Sequence, residues 1–319
     1  MRILKYNHPS IDWREKVESI SELNRRHGIP NQVSFCQDAH GFIHVEVNNP
    51  QSSARIALQG AQLTSWVPKG EEAVIWLSKQ ASFLKGKSIR GGAPVCWPWF
   101  GPHESQGDFP AHGFARTALW EVSGVETQAD GTTRLVFCLP ETSVPKNQWS
   151  HATTLESRMT IGSHLEVDLV TRNLGSQPVT IGQALHTYFQ VGDVRTIRLL
   201  GLEECVYLDK VEGGVRKVQE GAVSFTQETD RIYLEATEDV LIEDPLMRRQ
   251  IRITKKGSAS TVVWNPWIEK SAKLGDLGDE GYLHMVCVEN ANAAEDRITL
   301  APGAEHHLWV RYSLAPVSR

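Results

Sequence analysis

From about residue 34 onward, apolar and polar residues alternate in short stretches along the chain. Alternating stretches lie at residues 43–47, 135–139, 165–169, 251–253 and 308–314. Because successive side chains of a β-strand point to opposite faces of a sheet, this period of two predicts strands with one buried face. Gly, Pro, Asn and Asp separate the stretches, which is typical of antiparallel sheets. We therefore predict an all-β fold, a large antiparallel β-sandwich.

The sequence lacks the features that three other architectures require. No amphipathic helical segments alternate with the strands, so a doubly wound α/β fold is not expected. No internal repeat of fixed period is present, which argues against a propeller. No Pro/Ser-rich linker divides the chain, so the strands are expected to form one large domain.

The first 33 residues follow a different, helical period. Apolar residues recur at intervals of three or four, at Trp13, Val17, Ile20 and Leu23. Gly28, followed by Pro30, predicts the end of this helix. We therefore predict two parts, an N-terminal helical arm over residues 1–33 and a β-sandwich domain over residues 34–319.

Composition and charge narrow the class of protein. The chain has 319 residues, of which 40% are hydrophobic and 22% are charged, as in ordinary globular proteins. Its net charge of −5 argues against nucleic acid as the main partner, since binding to a phosphate backbone needs a concentrated cationic surface. No apolar run approaches the roughly 18 residues needed to span a bilayer, so no membrane association is expected. No signal-peptide segment is present, and the five scattered cysteines fit neither a disulfide framework nor a CxxC zinc site, so we expect a cytoplasmic protein.

Four segments break the strand pattern and carry candidate chemistry. In residues 88–102, Arg90 precedes a Gly-Gly pair and three prolines, so it is either a fixed anion clamp or a surface residue beside a tight turn. In residues 110–116, the titratable side chain of His112 is close in sequence to the cation Arg116. The alternative is an ordinary loop without a functional site.

The other two segments are apolar and strand-like. In residues 181–193, the pattern around His186 fits both a catalytic histidine and a hydrogen-bonded core histidine. In residues 282–291, Glu289 ends an apolar strand. Burial there would raise the pKa of the carboxyl and suit it to proton transfer, whereas the alternative is a salt-bridged residue at the rim of a sheet.

Six motifs occur in order along the chain: Ala-Leu-Gln-Gly-Ala-Gln-Leu, Arg-Gly-Gly-Ala-Pro-Val-Cys-Trp-Pro-Trp-Phe-Gly-Pro, Ala-His-Gly-Phe-Ala-Arg, Ala-Leu-His-Thr-Tyr-Phe, Trp-Asn-Pro-Trp and Val-Cys-Val-Glu-Asn-Ala. Together they resemble the glucose-6-phosphate 1-epimerases, or hexose-6-phosphate mutarotases, of the aldose 1-epimerase superfamily. The resemblance covers roughly residues 34–314. It implies a β-sandwich with the sugar bound in a cleft on one sheet, in agreement with the alternation.

The resemblance also implies roles for individual residues. His186 matches the general acid and Glu289 the general base, while the residues that match substrate-binding positions are Arg90, His112, Arg116 and Asp209. The sequence departs from the family pattern in two ways. The first 33 residues look like an addition, and Ala111 stands where many relatives carry Gln, so one substrate hydrogen bond is missing or comes from elsewhere.

These residue types suit the interconversion of hexose anomers. Opening the ring requires one proton to leave the C1 hydroxyl and another to reach the ring oxygen, which an imidazole and a carboxylate do together. Two arginines favour a phosphosugar, glucose 6-phosphate above all, because the guanidinium fork matches phosphate oxygens. The alternatives are an aldose 1-epimerase acting on unphosphorylated sugars and a non-catalytic sugar-phosphate-binding β-sandwich.

We expect a monomer with no cofactor and no metal. The acidic, Gly-rich residues 275–281 lack the spacing of a calcium loop and are expected to form a solvated loop near the cleft. His306 and His307 would project to opposite faces of a strand, which is poor geometry for a shared metal.

Overall fold

The computed structural model describes residues 18–39 and 41–316. The strands are β1 (Val33–Gln37), β2 (Ile43–Asn48), β3 (Ser52–Ala57), β4 (Gln62–Pro68), β5 (Val95–Cys96), β6 (Glu121–Thr127), β7 (Thr133–Cys138), β8 (Thr153–Ile161), β9 (Leu165–Asn173), β10 (Val179–Ile181), β11 (Gln183–Leu185), β12 (Tyr188–Gln190), β13 (Arg198–Leu200), β14 (Val206–Asp209), β15 (Val215–Val218), β16 (Thr229–Tyr233), β17 (Val240–Asp244), β18 (Arg249–Lys256), β19 (Ser260–Asn265), β20 (Met285–Asn292), β21 (Ile298–Leu300) and β22 (Glu305–Pro316). The α-helices in these ranges are α1 (Ile20–His27) and α2 (Trp267–Leu274).

Two eight-stranded antiparallel sheets dominate the fold, which confirms the predicted all-β class. Sheet I has the strand order β15-β14-β16-β19-β20-β11-β5, with β12 also paired to β20. Sheet II has the order β13-β17-β18-β22-β9-β8-β7-β6. Strands β1 to β4 form a third, four-stranded sheet, and β10 pairs with β21.

The apolar core lies between the sheets. Alternate residues of β9 and β22 in sheet II point into it, and so do Val263 and Val288 of sheet I. The Thr187 and Tyr312 hydroxyls also meet there, 2.7 Å apart, and join the two sheets. Because each fully buried aliphatic side chain contributes about 1.5–3 kcal/mol, this shared core holds sheet I in a fixed position against sheet II.

Helix α1 packs against the body of the protein. Its first turn is capped by Ser19, whose Oγ accepts a hydrogen bond from the Glu22 backbone 3.2 Å away, and Gly28 ends it, as predicted. Leu23 is buried in the main core, and the Asn24 side chain pairs with the backbone of Phe35 on the edge strand β1. The earlier part of the predicted helical period, Trp13 and Val17, lies outside the described residues. The division of the chain after residue 33 stays a prediction.

No helix among the described residues is long and apolar enough to cross a membrane.

Candidate active site

One face of sheet I carries a row of polar and aromatic side chains. The register aligns them across β12, β20, β19 and β16, in the order Tyr188, Cys287, Trp264 and Asp230. Directly paired residues share a face of a sheet, and so do residues two apart on one strand, so Glu289 points to the same side as this row. We call this side of sheet I the site face. The intervening residues of β20 point the other way, into the core.

His186 lies opposite Glu289, where β11 has ended and β12 has not begun. Its Nε2 atom lies 3.4 Å from Oε1 of Glu289, and the two side chains are 12% and 1% exposed. Within the described part of the chain, neither carboxylate oxygen of Glu289 nor Nδ1 of His186 has a hydrogen-bond partner. Buried polar atoms without partners are rare, so this pair is arranged to receive a ligand.

The first of the four predicted segments holds this pair in place through its backbone. The carbonyl oxygen of Gly92 accepts the N–H of Tyr188, and that of Pro94 accepts the N–H of His186, both at 2.9 Å. Gly92 has a positive φ of 73°, and a Cβ there would lie 2.3 Å from the Leu63 carbonyl oxygen. Glycine is therefore required for this segment to reach the broken strand.

The second segment brings His112 to the same place. Trp97 donates to the His112 carbonyl at 3.2 Å and accepts from the Phe114 N–H at 3.1 Å, so the backbones run side by side. A Cβ on Gly113 would lie 1.9 Å from the Trp97 carbonyl oxygen, which explains the His-Gly motif. His112 itself has a φ of 67°, and its ring centroid is 5.7 Å from that of His186.

Aromatic rings fix the orientation of the His186 imidazole. Tyr188 stacks on it with centroids 5.0 Å apart and planes 15° apart, and Trp264 meets it edge-on at 5.9 Å. Trp76 stacks on Tyr188 at 5.8 Å. Such packing limits the rotation of the imidazole and keeps its Nε2 atom directed at Glu289.

Burial favours the uncharged forms of both members of the pair. It lowers the pKa of His186 well below its ordinary value, and the neighbouring His112 and Arg116 act in the same direction. It also raises the pKa of Glu289 well above its ordinary value, with a further contribution from Asp230 and an opposing one from Arg116. The distance of 3.4 Å would allow an ion pair, but two charges this deeply buried are costly. We therefore assign the unliganded pair as neutral, with a single proton on Glu289.

The two predicted arginines lie in different electrostatic settings. Arg90 donates to Asp276 and to the Tyr188 hydroxyl, both at 2.9 Å, so a carboxylate already balances its charge. Arg116 donates to the Ala111 carbonyl at 2.8 Å and forms no ion pair with any residue that the structure describes. Burial and Arg116 together lower the pKa of His112 to about 3, which keeps that ring neutral.

The structure does not bring Asp209 to this group. Its register partner on β16 is Arg231, whereas the site-face row passes through the adjacent Asp230, so Asp209 points to the opposite side of sheet I. Lys217 donates to its carboxylate at 2.9 Å, as does the Val211 backbone at 3.1 Å. Asp209 thus closes the turn between β14 and β15.

Asp230, and not Asp209, lies on the site face. Burial raises its pKa, against the opposing charges of Lys270 and Lys210, and its negative charge adds to the rise in the pKa of Glu289. In the sequence, Asp230 is not distinguished from any other polar residue of an alternating strand. Only its pairing with Trp264, a residue of the Trp-Asn-Pro-Trp motif, could have indicated its side of the sheet.

Cys287 is a further group that the sequence did not single out. Its Sγ, a ring nitrogen of His186 and a carboxylate oxygen of Glu289 all lie within 4.8 Å of one another. Among the described residues, these three are close enough together to hold one metal ion jointly. The predicted Gly-rich loop also reaches the site, since its Asp276 is the partner of Arg90.

Taken as a whole, the site joins one proton donor, one proton acceptor and hydrogen-bonding groups on a single face. The predicted residues His186, Glu289, Arg90, His112 and Arg116 are connected by contacts or electrostatic coupling. Such a site can move protons on and off neighbouring oxygen atoms of a bound polyol.

The chain is similar to several known proteins over most of its length. A curated relative from Escherichia coli (strain K12), named "Putative glucose-6-phosphate 1-epimerase", is 42% identical over 252 residues, which are 79% of this chain and 83% of the relative. A relative of the same name from Cenchrus ciliaris is 35% identical over 83% of this chain and 82% of its own. The crystal structure of a "putative mutarotase" from Salmonella typhimurium matches with a TM-score of 0.84 and 33% identity, covering 91% of this chain and 96% of that one. The family model described as aldose 1-epimerase matches residues 44–313, and the chain therefore belongs to the aldose 1-epimerase family.

Proposed function

We propose that the protein interconverts the α and β anomers of hexose 6-phosphates, with glucose 6-phosphate as the main substrate. The observation that carries the proposal is the contact of 3.4 Å between His186 and Glu289, whose polar atoms lack other partners. The names of the relatives support the choice of sugar. A non-catalytic binding protein would not need a buried acid–base pair.

In this proposal, Glu289 takes the proton from the C1 hydroxyl and His186 delivers one to the ring oxygen. In the unliganded pair, Glu289 carries its carboxyl proton and His186 is a neutral imidazole. Transfer of the carboxyl proton to the free ring nitrogen of His186 gives the reactive form without changing the total charge. Sugar hydroxyls would supply the hydrogen bonds that the buried carboxylate lacks. After the aldehyde has rotated, the same two groups reverse their roles and the ring closes on the other face of C1. Each positioned proton transfer contributes on the order of 10²- to 10⁴-fold to the rate.

Asp230 and His112 are proposed to bind sugar hydroxyls. Asp230 shares the site face with Glu289, and the His112 ring lies beside His186. A neutral imidazole both donates and accepts, which suits a hydroxyl group. Asp209 has no part in this proposal.

Arg116 is proposed to be the main contact of the C6 phosphate. Its guanidinium has no carboxylate partner among the described residues, whereas Arg90 is already paired with Asp276. Arg90 is proposed to add a second contact while it positions Tyr188 against His186. Because Asp276 already balances the charge of Arg90, a second candidate function is an aldose 1-epimerase that acts on unphosphorylated sugars.

The acid–base assignment is tested by anomer exchange measured with NMR saturation transfer. We expect His186→Ala and Glu289→Gln to lower kcat by roughly 10²-fold or more while the protein stays folded. Wild-type exchange in either folded variant would contradict the assignment.

The choice of substrate is tested by comparing glucose 6-phosphate and glucose. A charge-assisted contact is worth about 1.5–3 kcal/mol, so Arg116→Ala should lower kcat/KM for glucose 6-phosphate on the order of 10- to 150-fold. Any effect of the substitution on the acid–base pair lowers kcat/KM equally for both sugars, so it cancels in the ratio of the two values. Arg172→Ala, which removes an exposed arginine paired with Glu305, is the matched control. Parallel losses on both sugars in Arg116→Ala would favour an aldose 1-epimerase instead.

A further inference from the structure

Three donor atoms of different chemistry meet at the acid–base pair. Cys287 and Glu289 are two residues apart on β20 and point to the same face, and His186 approaches them from the break between β11 and β12. A ring nitrogen, a thiol sulfur and a carboxylate oxygen from these residues lie within 4.8 Å of one another. Imidazole, thiolate and carboxylate are the three ligand types of zinc sites in proteins.

We propose that His186, Cys287 and Glu289 form an inhibitory Zn²⁺ site, and that the ion and the sugar exclude each other. Three protein ligands leave a fourth, open position, the arrangement of zinc sites that accept water or another small ligand. The ion would occupy both groups of the acid–base pair, so neither could exchange a proton with a sugar. Inhibition rests on the proposed function, whereas binding of the ion does not.

The spacing of the donor atoms is close to what Zn²⁺ requires. The centre of an equilateral triangle with 4.8 Å sides lies about 2.8 Å from each corner, and the separation of 3.4 Å between His186 and Glu289 makes the actual triangle smaller. Zinc bonds are about 2.0–2.3 Å long, so inward side-chain shifts of up to about 0.8 Å would complete the site.

The surroundings also favour an added ligand. The Glu289 carboxylate is 1% exposed and both of its oxygens lack a partner among the described residues. Asp230 attracts a cation to this region, and Arg116 opposes it. Binding releases two protons to solvent, the thiol proton of Cys287 and the carboxyl proton of Glu289, and the resulting thiolate gives the site its preference for zinc over magnesium or calcium.

Direct titration of the metal-free full-length chain with Zn²⁺, in a chelator buffer that sets the free ion, tests the site. We expect one ion per chain in the wild type and in Cys205→Ser, a control that removes a partly buried thiol outside the cluster. Cys287→Ser should bind at least about tenfold more weakly, since even the loss of an outer contact costs that much. Cys287→Ala serves the same purpose if the serine variant does not fold. With Co²⁺ in place of Zn²⁺, a thiolate-to-metal absorption band should appear in the wild type and in Cys205→Ser only.

Competition separates this proposal from the proposed function. Saturating glucose 6-phosphate should weaken Zn²⁺ binding at fixed free Zn²⁺, and Zn²⁺ should inhibit anomer exchange by the wild type far more than by Cys287→Ser. Zn²⁺ binding that is unchanged in both Cys287 variants or absent in the wild type would overturn the site. Zn²⁺ binding that is indifferent to a sugar whose anomers the protein does interconvert would overturn the mutual exclusion. A metal-free protein that does not accelerate exchange would refute the proposed function, but it would leave a Cys287-dependent Zn²⁺ stoichiometry intact.

Discussion

The protonation state of the His186–Glu289 pair determines the sign of a measurable change in stability. Burial raises the pKa of Glu289 well above its ordinary value of 4.5, so the folded protein keeps a proton that the unfolded chain releases. As the pH rises from about 4.5 towards the folded pKa, the wild type therefore loses stability. Glu289→Gln keeps the shape of the side chain but cannot ionise, so it escapes this loss.

The size of the effect follows from proton linkage. Between about pH 4.5 and the pKa of Glu289 in the folded protein, each pH unit lowers the free energy of unfolding of the wild type by as much as about 1.4 kcal/mol relative to the variant. Between pH 5 and pH 7, Glu289→Gln should thus gain up to about 2.7 kcal/mol relative to the wild type. His186, whose lowered pKa keeps it neutral in both proteins, contributes nothing to the difference.

Urea unfolding followed by tryptophan fluorescence, at pH 5, 6 and 7, measures this difference. Glu305→Gln is the control, because hydrogen bonds from Arg172 and His307 lower the pKa of this exposed carboxyl. The ionised Glu305 stabilises the fold above pH 4.5, and this stabilisation is lost as the pH falls. The pH dependence of Glu305→Gln relative to the wild type therefore has the opposite sign to that of Glu289→Gln, and it is small between pH 5 and pH 7. An ion pair between His186 and Glu289 would hold the pKa of Glu289 below its ordinary value of 4.5 and raise the pKa of His186, so from pH 5 to pH 6 both groups would bind nearly the same number of protons in the folded and the unfolded chain. A difference in stability that stays flat over this interval would therefore refute the neutral pair.

Three more predictions concern other parts of the site. Asp230→Asn should raise KM for glucose 6-phosphate on the order of tenfold through the loss of a charge-assisted hydrogen bond. Asp209→Asn should leave the kinetics unchanged and lower the melting temperature, because Lys217 loses one of its two carboxylate partners. Equal effects of the two substitutions on KM would contradict the placement of these residues. Tyr312→Phe removes the hydrogen bond to Thr187 and should cost about 1 kcal/mol in urea unfolding with KM unchanged. Exhaustive chelation should leave anomer exchange at full rate; a loss of activity that one divalent ion restores would show that the reaction needs a metal.

Much of the fold follows from alternation, because a strand with one buried face has a periodic sequence. The stretches at residues 165–169 and 308–314 lie in the core strands β9 and β22, as predicted. His44 shows the limit. It alternates with apolar residues on β2, yet it is 1% exposed, because Phe42 and Phe83 pack against its ring with centroids 5.3 Å away. A period of two identifies the two faces of a strand but not what covers the second one.

The candidate site was less accessible to sequence reasoning for the same reason. Only the motifs point to His186 and Glu289, because their contact depends on pairing between strands that are 103 positions apart in the sequence. Asp209 and Asp230 are both acidic residues on neighbouring strands, and a single step in register decides which one shares a face with Glu289. Cys287 looked like one more apolar residue of a buried strand.

The position of β20 in sheet I has a consequence for synthesis on the ribosome. This strand pairs with β19 on one side and with β11 and β12 on the other, and it is made after both. Until residue 292 has left the exit tunnel, the pieces of sheet I on either side of β20 have no strand to join them. A nascent chain can therefore present His186 and both arginines without Glu289, so we expect turnover only after about nine-tenths of the polypeptide has been made and β20 has been inserted into sheet I.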